Sequence, residues 1–327
     1  MSSLVIDNPL VSVWEGEALE TLRGLEAESV DTCITSPPYW GLRDYGMSEQ
    51  IGLEVSPFAY IEKLTAVFEE VRRVLKPSGT LWVVIGDSYA GSGKGRVKDG
   101  SHYTVAADGP SVKQGTNKGA VNGIIPAAWS SGEGIKAKDL CGIPWRLAFR
   151  LQELGWYLRQ DIIWAKPNPM PESVTDRCTR SHEYIFLLSK SPSYYYDSNA
   201  IAEDITLPIR KSQNKNYRHG VNGRTTDSTS TDYREELIRN KRDVWLIANE
   251  GYSEAHFATY PTKLVELCIL AGSPAGGLVL DPFGGCGTTA EVAVKLGRRA
   301  TLIELNPEYV EMIRHNLGLF AIAGATA

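Results

Sequence analysis

Two short stretches carry residue types that could do chemistry together. The first is Thr35-Ser36-Pro37-Pro38-Tyr39-Trp40, in which hydroxyls, two rigid prolines and two aromatics follow one another without a break. Hydroxyl oxygens and backbone carbonyls accept hydrogen bonds from an amine, and aromatic rings stack on a flat ring. A planar, amine-bearing substrate would suit such a stretch, although a Pro-Pro turn with packed aromatics would account for it in isolation. The second is Asp281-Pro282-Phe283-Gly284-Gly285-Cys286-Gly287-Thr288-Thr289, with Glu304 following 23 residues beyond Asp281.

In the second stretch the glycines let a backbone approach a ligand closely, and a carboxylate such as Glu304 can accept both hydroxyl hydrogens of a ribose. The spacing Gly284-Gly285-x-Gly287 is not the dinucleotide pattern GxGxxG, and the acid at the head of the loop would repel a pyrophosphate and welcome a cation. The cationic nucleoside that fits is S-adenosylmethionine, with Asp281 near its ammonium and Glu304 on its ribose. A generic strand-turn-helix junction is the competing reading. Cys286 does not read as a nucleophile: enzymes that attack carbon 5 of cytosine use a thiol that follows a proline, and the chain has no Pro-Cys dipeptide. It reads as a small filler beside the ligand.

Both stretches need a scaffold that brings strand ends together. Leu10 to Trp14 reads as a strand, Glu17 to Leu25 as a short helix, and Ser29 to Thr35 as the strand that delivers the first motif. A glycine-bracketed loop, Gly41 to Gly46, follows the motif. Ser56-Pro57 opens a helix, and Tyr60, Leu64, Val67, Phe68, Val71 and Leu75 recur at helical spacing until Lys76-Pro77-Ser78-Gly79 ends it. The apolar run Thr80 to Ile85 is expected in the middle of a parallel sheet. A helix over Asp139 to Leu154, strands over Trp156 to Trp164 and Glu183 to Leu188, and a helix over Pro261 to Leu270 come next. A strand Leu278 to Leu280, a helix Thr289 to Leu296, a strand Ala300 to Ile303 and a last helix from Asn306-Pro307 close the chain. This is a β-α-β rhythm, so both motifs belong at the carboxyl ends of parallel strands, where open α/β sheets bind ligands.

Composition sets the outer limits. The 327 residues are 43% hydrophobic and 22% charged, enough for a sizeable globular core. No apolar run reaches membrane-helix length and no basic-then-apolar leader opens the chain, so a cytoplasmic protein without membrane contact is expected. Five cysteines without a CxxC pair and five histidines without ligand spacing argue against disulfides or a metal. The net charge of −5 does not advertise nucleic acid, yet Thr206 to Arg224 holds Arg210, Lys211, Lys215, Arg218 and Arg224 and no acid. Residues 91–138 are rich in Gly, Ser, Lys and Asn without periodicity, consistent with either a flap over the sheet edge or a disordered loop.

With both motifs in view the chain resembles the permuted (beta-class) S-adenosylmethionine-dependent DNA amino-methyltransferases of SPPY type, in which the catalytic tetrapeptide precedes the cofactor loop. The resemblance rests on Thr35 to Trp40, Lys76 to Thr80, Trp164-Lys166-Pro167-Asn168, His256 to Pro261 and Asp281 to Thr289, in that order. It implies an α/β fold with a seven-stranded, mostly parallel Rossmann-like sheet, helices on both faces, and an irregular target-recognition insertion. The expected organisation is a catalytic half in 1–90 and 139–199, a loop or flap at 91–138, target recognition at 200–249, and a cofactor half at 250–327. Ser36 to Trp40 (Ser36, Pro37, Pro38, Tyr39 and Trp40) are the implied catalytic residues. The cofactor would be held by Asp281, Pro282, Phe283, Gly285, Gly287, Thr288, Glu304, Asn306, Thr262 and Lys263, with Glu17 near the adenine. Serine at the head of the tetrapeptide is typical of cytosine N4 methylation and aspartate of adenine N6, so Ser36 favours cytosine N4.

The implied reaction is direct transfer of the methyl from S-adenosylmethionine to the amine of a flipped base, stacked by Tyr39 and Trp40 and oriented by Ser36 and the Pro37 carbonyl. Double-stranded DNA is the expected partner, contacted through Arg210, Lys211, Lys215, Arg218 and Arg224; a homodimer and a companion restriction endonuclease stay open. The competing functions are adenine N6 methylation of DNA, a catalytically silent DNA-binding partner or cofactor sensor, and methylation of a protein glutamine or small molecule.

Overall fold

The computed structural model describes residues 2–42, 44–90, 134–136, 138–204, 238–250 and 260–323. Most of the expected 91–138 loop, the whole basic stretch with Arg210, Lys211, Lys215, Arg218 and Arg224, and His256 to Thr259 lie outside the described residues.

The first half supplies β1 (Ser3–Asp7), β2 (Val11–Glu15), α1 (Ala18–Gly24), β3 (Val30–Thr35), α2 (Pro57–Val74) and β4 (Leu75–Ile85). Then come α3 (Ile143–Glu153), β5 (Tyr157–Ala165), β6 (His182–Ser189), and the short β7 (Glu203–Asp204), β8 (Ile238–Arg239) and β9 (Val244–Leu246). The cofactor half is α4 (Thr262–Gly272), β10 (Leu278–Asp281), α5 (Thr288–Lys295), β11 (Arg299–Glu304) and α6 (Pro307–Ala323). Nine strands form one sheet in the order β1-β2-β11-β10-β3-β4-β6-β5-β9. The expected seven-stranded, mostly parallel sheet is its interior, β2 to β5, and the edge strands β1 and β9 extend it.

Five neighbours, β2, β11, β10, β3 and β4, pair in parallel, so their carboxyl ends open on one edge. Beyond β4 the direction reverses, because β6 pairs antiparallel with both β4 and β5. β4 therefore sits mid-sheet but not between two parallel neighbours. Its run from Thr80 to Ile85 is buried throughout because both faces are covered, whichever way the neighbour points.

Two cores flank the sheet. Tyr60, Leu64, Phe68 and Val71 of α2 pack with Leu147 and Leu151 of α3 on one face. Leu264, Val265 and Cys268 of α4 pack with Ala290, Ala293 and Ile313 on the other. Local signals explain most starts: the Ser56 hydroxyl accepts from the Ala59 amide at 3.2 Å, with Pro57 in the first turn of α2. Helix α3 starts at Ile143, four residues later than the periodicity from Asp139 suggests. The reason is tertiary: the Asp87 carboxylate caps the Gly142 and Ile143 amides at 3.0 Å, and the Cys141 amide donates to the Ser88 carbonyl at 2.9 Å. No helix among the described residues is long and apolar enough to cross a membrane.

Gly272, the last residue of α4, lies against the sheet so closely that a Cβ there would meet Trp82 Nε1 at 2.6 Å and the Thr32 and Thr80 hydroxyls at 2.9 Å. Gly272→Ala should therefore lower unfolding free energy by about 1–3 kcal/mol through overpacking. Urea denaturation reads this as a lower midpoint at unchanged slope; an unchanged midpoint would mean that α4 can retreat without cost.

Candidate active site

The parallel edge carries a cleft of about 520 Å³, within the range of small-molecule sites. Both motifs line it: Ser36, Pro37, Pro38 and Tyr39 follow β3, while Pro282, Phe283, Gly284, Gly285, Cys286 and Thr288 follow β10. Glu304 ends β11, with Asn306 beyond it, and Glu17 enters from the start of α1. These distant stretches of sequence meet because β3 and β10 are adjacent, Val279 pairing with Thr32 and Leu280 with Cys33.

Glu304 stands at the tip of β11 on the cleft wall. Its Oε2 accepts from the Gly285 amide at 2.7 Å and its Oε1 from the Asn306 amide at 2.8 Å. Each oxygen keeps a further lone pair. Burial pushes the carboxyl up to about 7, against the pull of those amides. Gly285 has φ of 52°, and Gly287, at φ 91°, turns the chain into α5; left-handed backbone of this kind favours glycine. Glu17 lines the cleft but spends both oxygens on the amides of Leu19 and Glu20, at 3.1 and 2.7 Å, capping α1.

Four expected ligands sit elsewhere. Asp281 is only 1% exposed and does not reach the cleft wall. Its Oδ1 accepts from the Thr35 hydroxyl at 2.6 Å and the Phe283 amide at 3.1 Å, and its Oδ2 from the Tyr260 and Thr289 hydroxyls at 2.7 and 2.6 Å. It ties the two motifs together beneath the cleft wall. Thr262 gives both its amide and its hydroxyl to Glu250, at 3.0 and 2.8 Å, and Lys263 pairs with Glu266 at 2.9 Å on the helix surface. Gly287 faces Ile313 of α6 instead of the cleft.

Trp40 likewise leaves the catalytic set. It is 3% exposed, packed in the core on the α2 face, with its indole donating to the Glu54 carbonyl at 3.0 Å. Tyr39 alone of the two aromatics faces the cleft. The Tyr60 hydroxyl of α2 holds the Pro38 carbonyl at 2.9 Å, which fixes the path of the tetrapeptide. Burial pushes the Cys286 thiol up, the reverse of what a thiolate nucleophile needs.

Other wall residues were not among the site residues expected from the sequence. Tyr45, Met47, Gln50 and Ile51 come from the loop after the tetrapeptide, with Tyr45 edge-on to Tyr309 of α6 at 6.2 Å. Lys166 and Glu183 come from the ends of β5 and β6 and form an ion pair beside Tyr39. Among the described wall residues the acids are Glu17, Glu49, Glu183, Glu250 and Glu304, and the only base is Lys166. This acidic lining suits a sulfonium and an ammonium, not a phosphate. The acidic cleft, the close glycine turn and the strand-tip carboxylate fit S-adenosylmethionine.

Fold and site together define a methyltransferase built on a Rossmann-like sheet, with S-adenosylmethionine as cofactor. The DNA methylase family N6_N4_Mtase matches residues 30–315, and the chain belongs to that family: it is a DNA amino-methyltransferase. It is similar to the Type II methyltransferase M.Cfr9I of Citrobacter freundii, 45% identical over 94% of this chain and 87% of that protein. It is also similar to the Type II methyltransferase M.SmaI of Serratia marcescens, 46% identical over 92% of this chain and 89% of the other. Its fold is shared with the PvuII DNA methyltransferase (cytosine-N4-specific), at a TM-score of 0.59, 20% identity and coverage of 93% of this chain and 85% of that one. The S-adenosyl-L-methionine complex of a DNA modification methylase from Thermus thermophilus has the same fold, at a TM-score of 0.52, 23% identity and 92% coverage of both chains.

Asp281→Asn leaves one acceptor oxygen for four donors. It should lower stability by about 1.5–3 kcal/mol, the range of a hydrogen bond to a charged group, and weaken S-adenosylhomocysteine binding although residue 281 does not line the cleft. Urea denaturation and calorimetric titration measure the two effects; normal values for both would deny Asp281 its tying role.

Proposed function

We propose that this protein is a site-specific DNA methyltransferase that moves a methyl group from S-adenosylmethionine to the exocyclic N4 amine of a flipped cytosine. The observation that carries this reading is the sharing of one cleft by the Ser36 hydroxyl, the Tyr39 ring and the Glu304 carboxylate. The cofactor supplies an electrophilic methyl group. The chain's own residues hold the acceptor: Tyr39 stacks on the extruded base, and the Ser36 hydroxyl and Pro37 carbonyl accept the hydrogens of its amine. The nitrogen lone pair then points at the methyl, and alignment of this kind contributes up to about 7–11 kcal/mol in favourable intramolecular cases.

Glu304 holds the ribose in this reading, and Glu17 lies near the adenine. The segment 200–249 is the candidate for contacts with double-stranded DNA, its Arg210, Lys211, Lys215, Arg218 and Arg224 meeting phosphates. A companion restriction endonuclease accords with the Type II names of the relatives. The second reading is adenine N6 methylation, which uses the same cleft and cofactor.

The deciding experiment incubates the protein with S-adenosylmethionine and unmodified mixed-sequence duplex DNA, digests to nucleosides and identifies the modified base by mass spectrometry. N4-methylcytosine is expected; N6-methyladenine would overturn the base assignment while leaving the cleft assignments in place.

Glu304 also gives a pH dependence. Its folded carboxyl titrates at about 7, above the ordinary carboxylate range, so the folded protein keeps a proton that the unfolded chain has lost. That contribution to stability is present below the unfolded value and fades as pH rises through the folded one. Ligand binding runs the other way, because the ionised form accepts both ribose hydroxyls. Affinity for S-adenosylhomocysteine should rise between about pH 6 and pH 8 in the wild type, and in Glu304→Gln should be about 10–100-fold weaker and flat with pH. A pH-dependent Gln variant would remove Glu304 as the titrating ligand.

A further inference from the structure

Tyr39 faces the cleft, and the chain is fixed on both sides of it. The Tyr60 hydroxyl holds the Pro38 carbonyl at 2.9 Å, and Trp40 is buried in the core. What remains to be set is the Tyr39 ring, whose χ1 torsion has three staggered wells and whose χ2 torsion is soft. The tip of that ring meets an ion pair that plays no part in the assignments made so far, Lys166 with Glu183. The Tyr39 hydroxyl donates to Glu183 Oε2 at 2.6 Å, and Lys166 Nζ donates to Glu183 Oε1.

Three strand ends build this contact. Glu183 of β6 pairs with Trp164 of β5, Lys166 follows the end of β5, and Ile85, the last residue of β4, pairs with Tyr184. Gly86 therefore arrives beside Glu183, and a Cβ there would sit 2.8 Å from Tyr39 Cε2, 3.3 Å from Tyr39 Cδ2 and 3.4 Å from Glu183 Cγ. One edge of the ring thus rests on a backbone that carries no side chain, and its tip is tied to a carboxylate. The cation that pairs with this carboxylate is itself held: the Lys166 ammonium lies 4.0 Å from the centre of the Trp164 ring, and the Lys166 amide donates to the Ser181 carbonyl at 2.7 Å.

Stability alone gives little reason for such a pair. Lys166 and Glu183 are only 16% and 18% exposed at their side chains, and the desolvation cost of a shielded ion pair rivals its attraction. Stacking on a flat base gives no reason for the Tyr39 hydroxyl either, because it uses the ring alone. Lys166 can only donate and an ionised Glu183 can only accept, so the phenol is the donor to Glu183. Burial first and the Glu183 charge second push the Tyr39 phenol up, so it stays protonated and keeps that role.

We propose that Glu183 is a positioning residue: through the Tyr39 hydroxyl, and with Gly86 against the ring edge, it sets the ring in its stacking orientation before the target base arrives. A ring ordered in advance loses no rotamer freedom when the base docks, and a base laid on it at a fixed tilt keeps its amine aimed at the methyl. Without the tie the ring samples other torsions and the base stacks out of line. The inference rests on the reading of Tyr39 as the residue that stacks on the base.

The test is single-turnover methyl transfer on duplex DNA that the wild type methylates, with affinity for S-adenosylhomocysteine measured alongside. Tyr39→Phe keeps the ring and loses the tie, so it and Glu183→Ala should each slow transfer about 10–100-fold, the scale of a misplaced reacting group. Cofactor affinity should stay within about twofold of wild type in both. The double variant should be no slower than the slower single one, because both cut the same link. Glu183→Gln, which still offers an acceptor oxygen, should recover part of the rate. With 2-aminopurine at the target position, Glu183→Ala should raise emission toward that of Tyr39→Ala, the sign of a base no longer held against the ring.

A Tyr39→Phe variant as fast as wild type would overturn the proposal, and so would losses that multiply in the double variant, which would show that Glu183 acts independently of Tyr39. A parallel fall in cofactor affinity would do the same, because it marks a structural defect. Wild-type rates in Tyr39→Ala would instead remove the stacking reading itself, whereas slow transfer in Tyr39→Ala with a normal rate in Glu183→Ala would remove only Glu183.

Discussion

The carboxylate of Asp281 is buried where β3, β10, α4 and α5 converge, and burial alone would favour its neutral form. Hydroxyls from Thr35, Tyr260 and Thr289 and the Phe283 amide offset part of that cost by occupying both oxygens, and burial still holds the carboxyl above its ordinary value. Each donor belongs to a different part of the catalytic edge: Thr35 immediately precedes Ser36, Phe283 lies in the glycine loop, Tyr260 leads into α4 and Thr289 sits in the first turn of α5. Satisfying one charge therefore fixes the acceptor end of the cleft against the donor end. A half-satisfied cluster would be worse than an apolar one, so the arrangement is all-or-none.

Electrostatics then divides the work in space. The described cleft wall presents five carboxylates and one ammonium, and that ammonium is already paired with Glu183. Such a wall favours a cationic cofactor and tolerates a neutral base, while phosphates are repelled. Any backbone that delivers the base must stay outside the cleft and meet its positive charges elsewhere, which agrees with basic residues being gathered in 206–224 of the sequence. The chain's net charge of −5 pools these opposed regions with the rest of the chain and says little about either.

Features decided within a few residues of chain were legible in the sequence. The Ser56-Pro57 start of α2, the apolar run of β4, the glycine turn before α5 and the acid at the tip of β11 all appear where local pattern puts them. What depends on distant partners was not. Asp87 caps α3 across 55 positions, so its start was misplaced. The adjacent aromatics Tyr39 and Trp40 look equivalent in sequence, yet the core takes Trp40 and the cleft takes Tyr39. Asp281 and Glu304 are both acids at strand ends, and only the ring of hydroxyls around the first separates a buried tie from a carboxylate on the cleft wall. Lys166 belongs to a motif legible in the sequence but its pairing with Glu183 was not; the antiparallel pairing of β5 with β6 brings the two together.

The placement of donor and acceptor sites follows from register. Cys33 and Leu280, paired across β3 and β10, both enter the core on the α2 face, whereas Ile34 and Val279 enter the core on the α4 face. A slip of one residue would send each of these side chains to the wrong core, so burial pins the pairing. Adjacent strands lie roughly 4.8 Å apart, and the loops that leave their ends inherit that spacing. The distance between the two motifs is therefore set by apolar packing beneath them, before any ligand arrives. That is the physical sense in which this site can work by alignment: the scaffold carries the orienting cost during folding, and the reacting groups meet in a geometry they did not have to find.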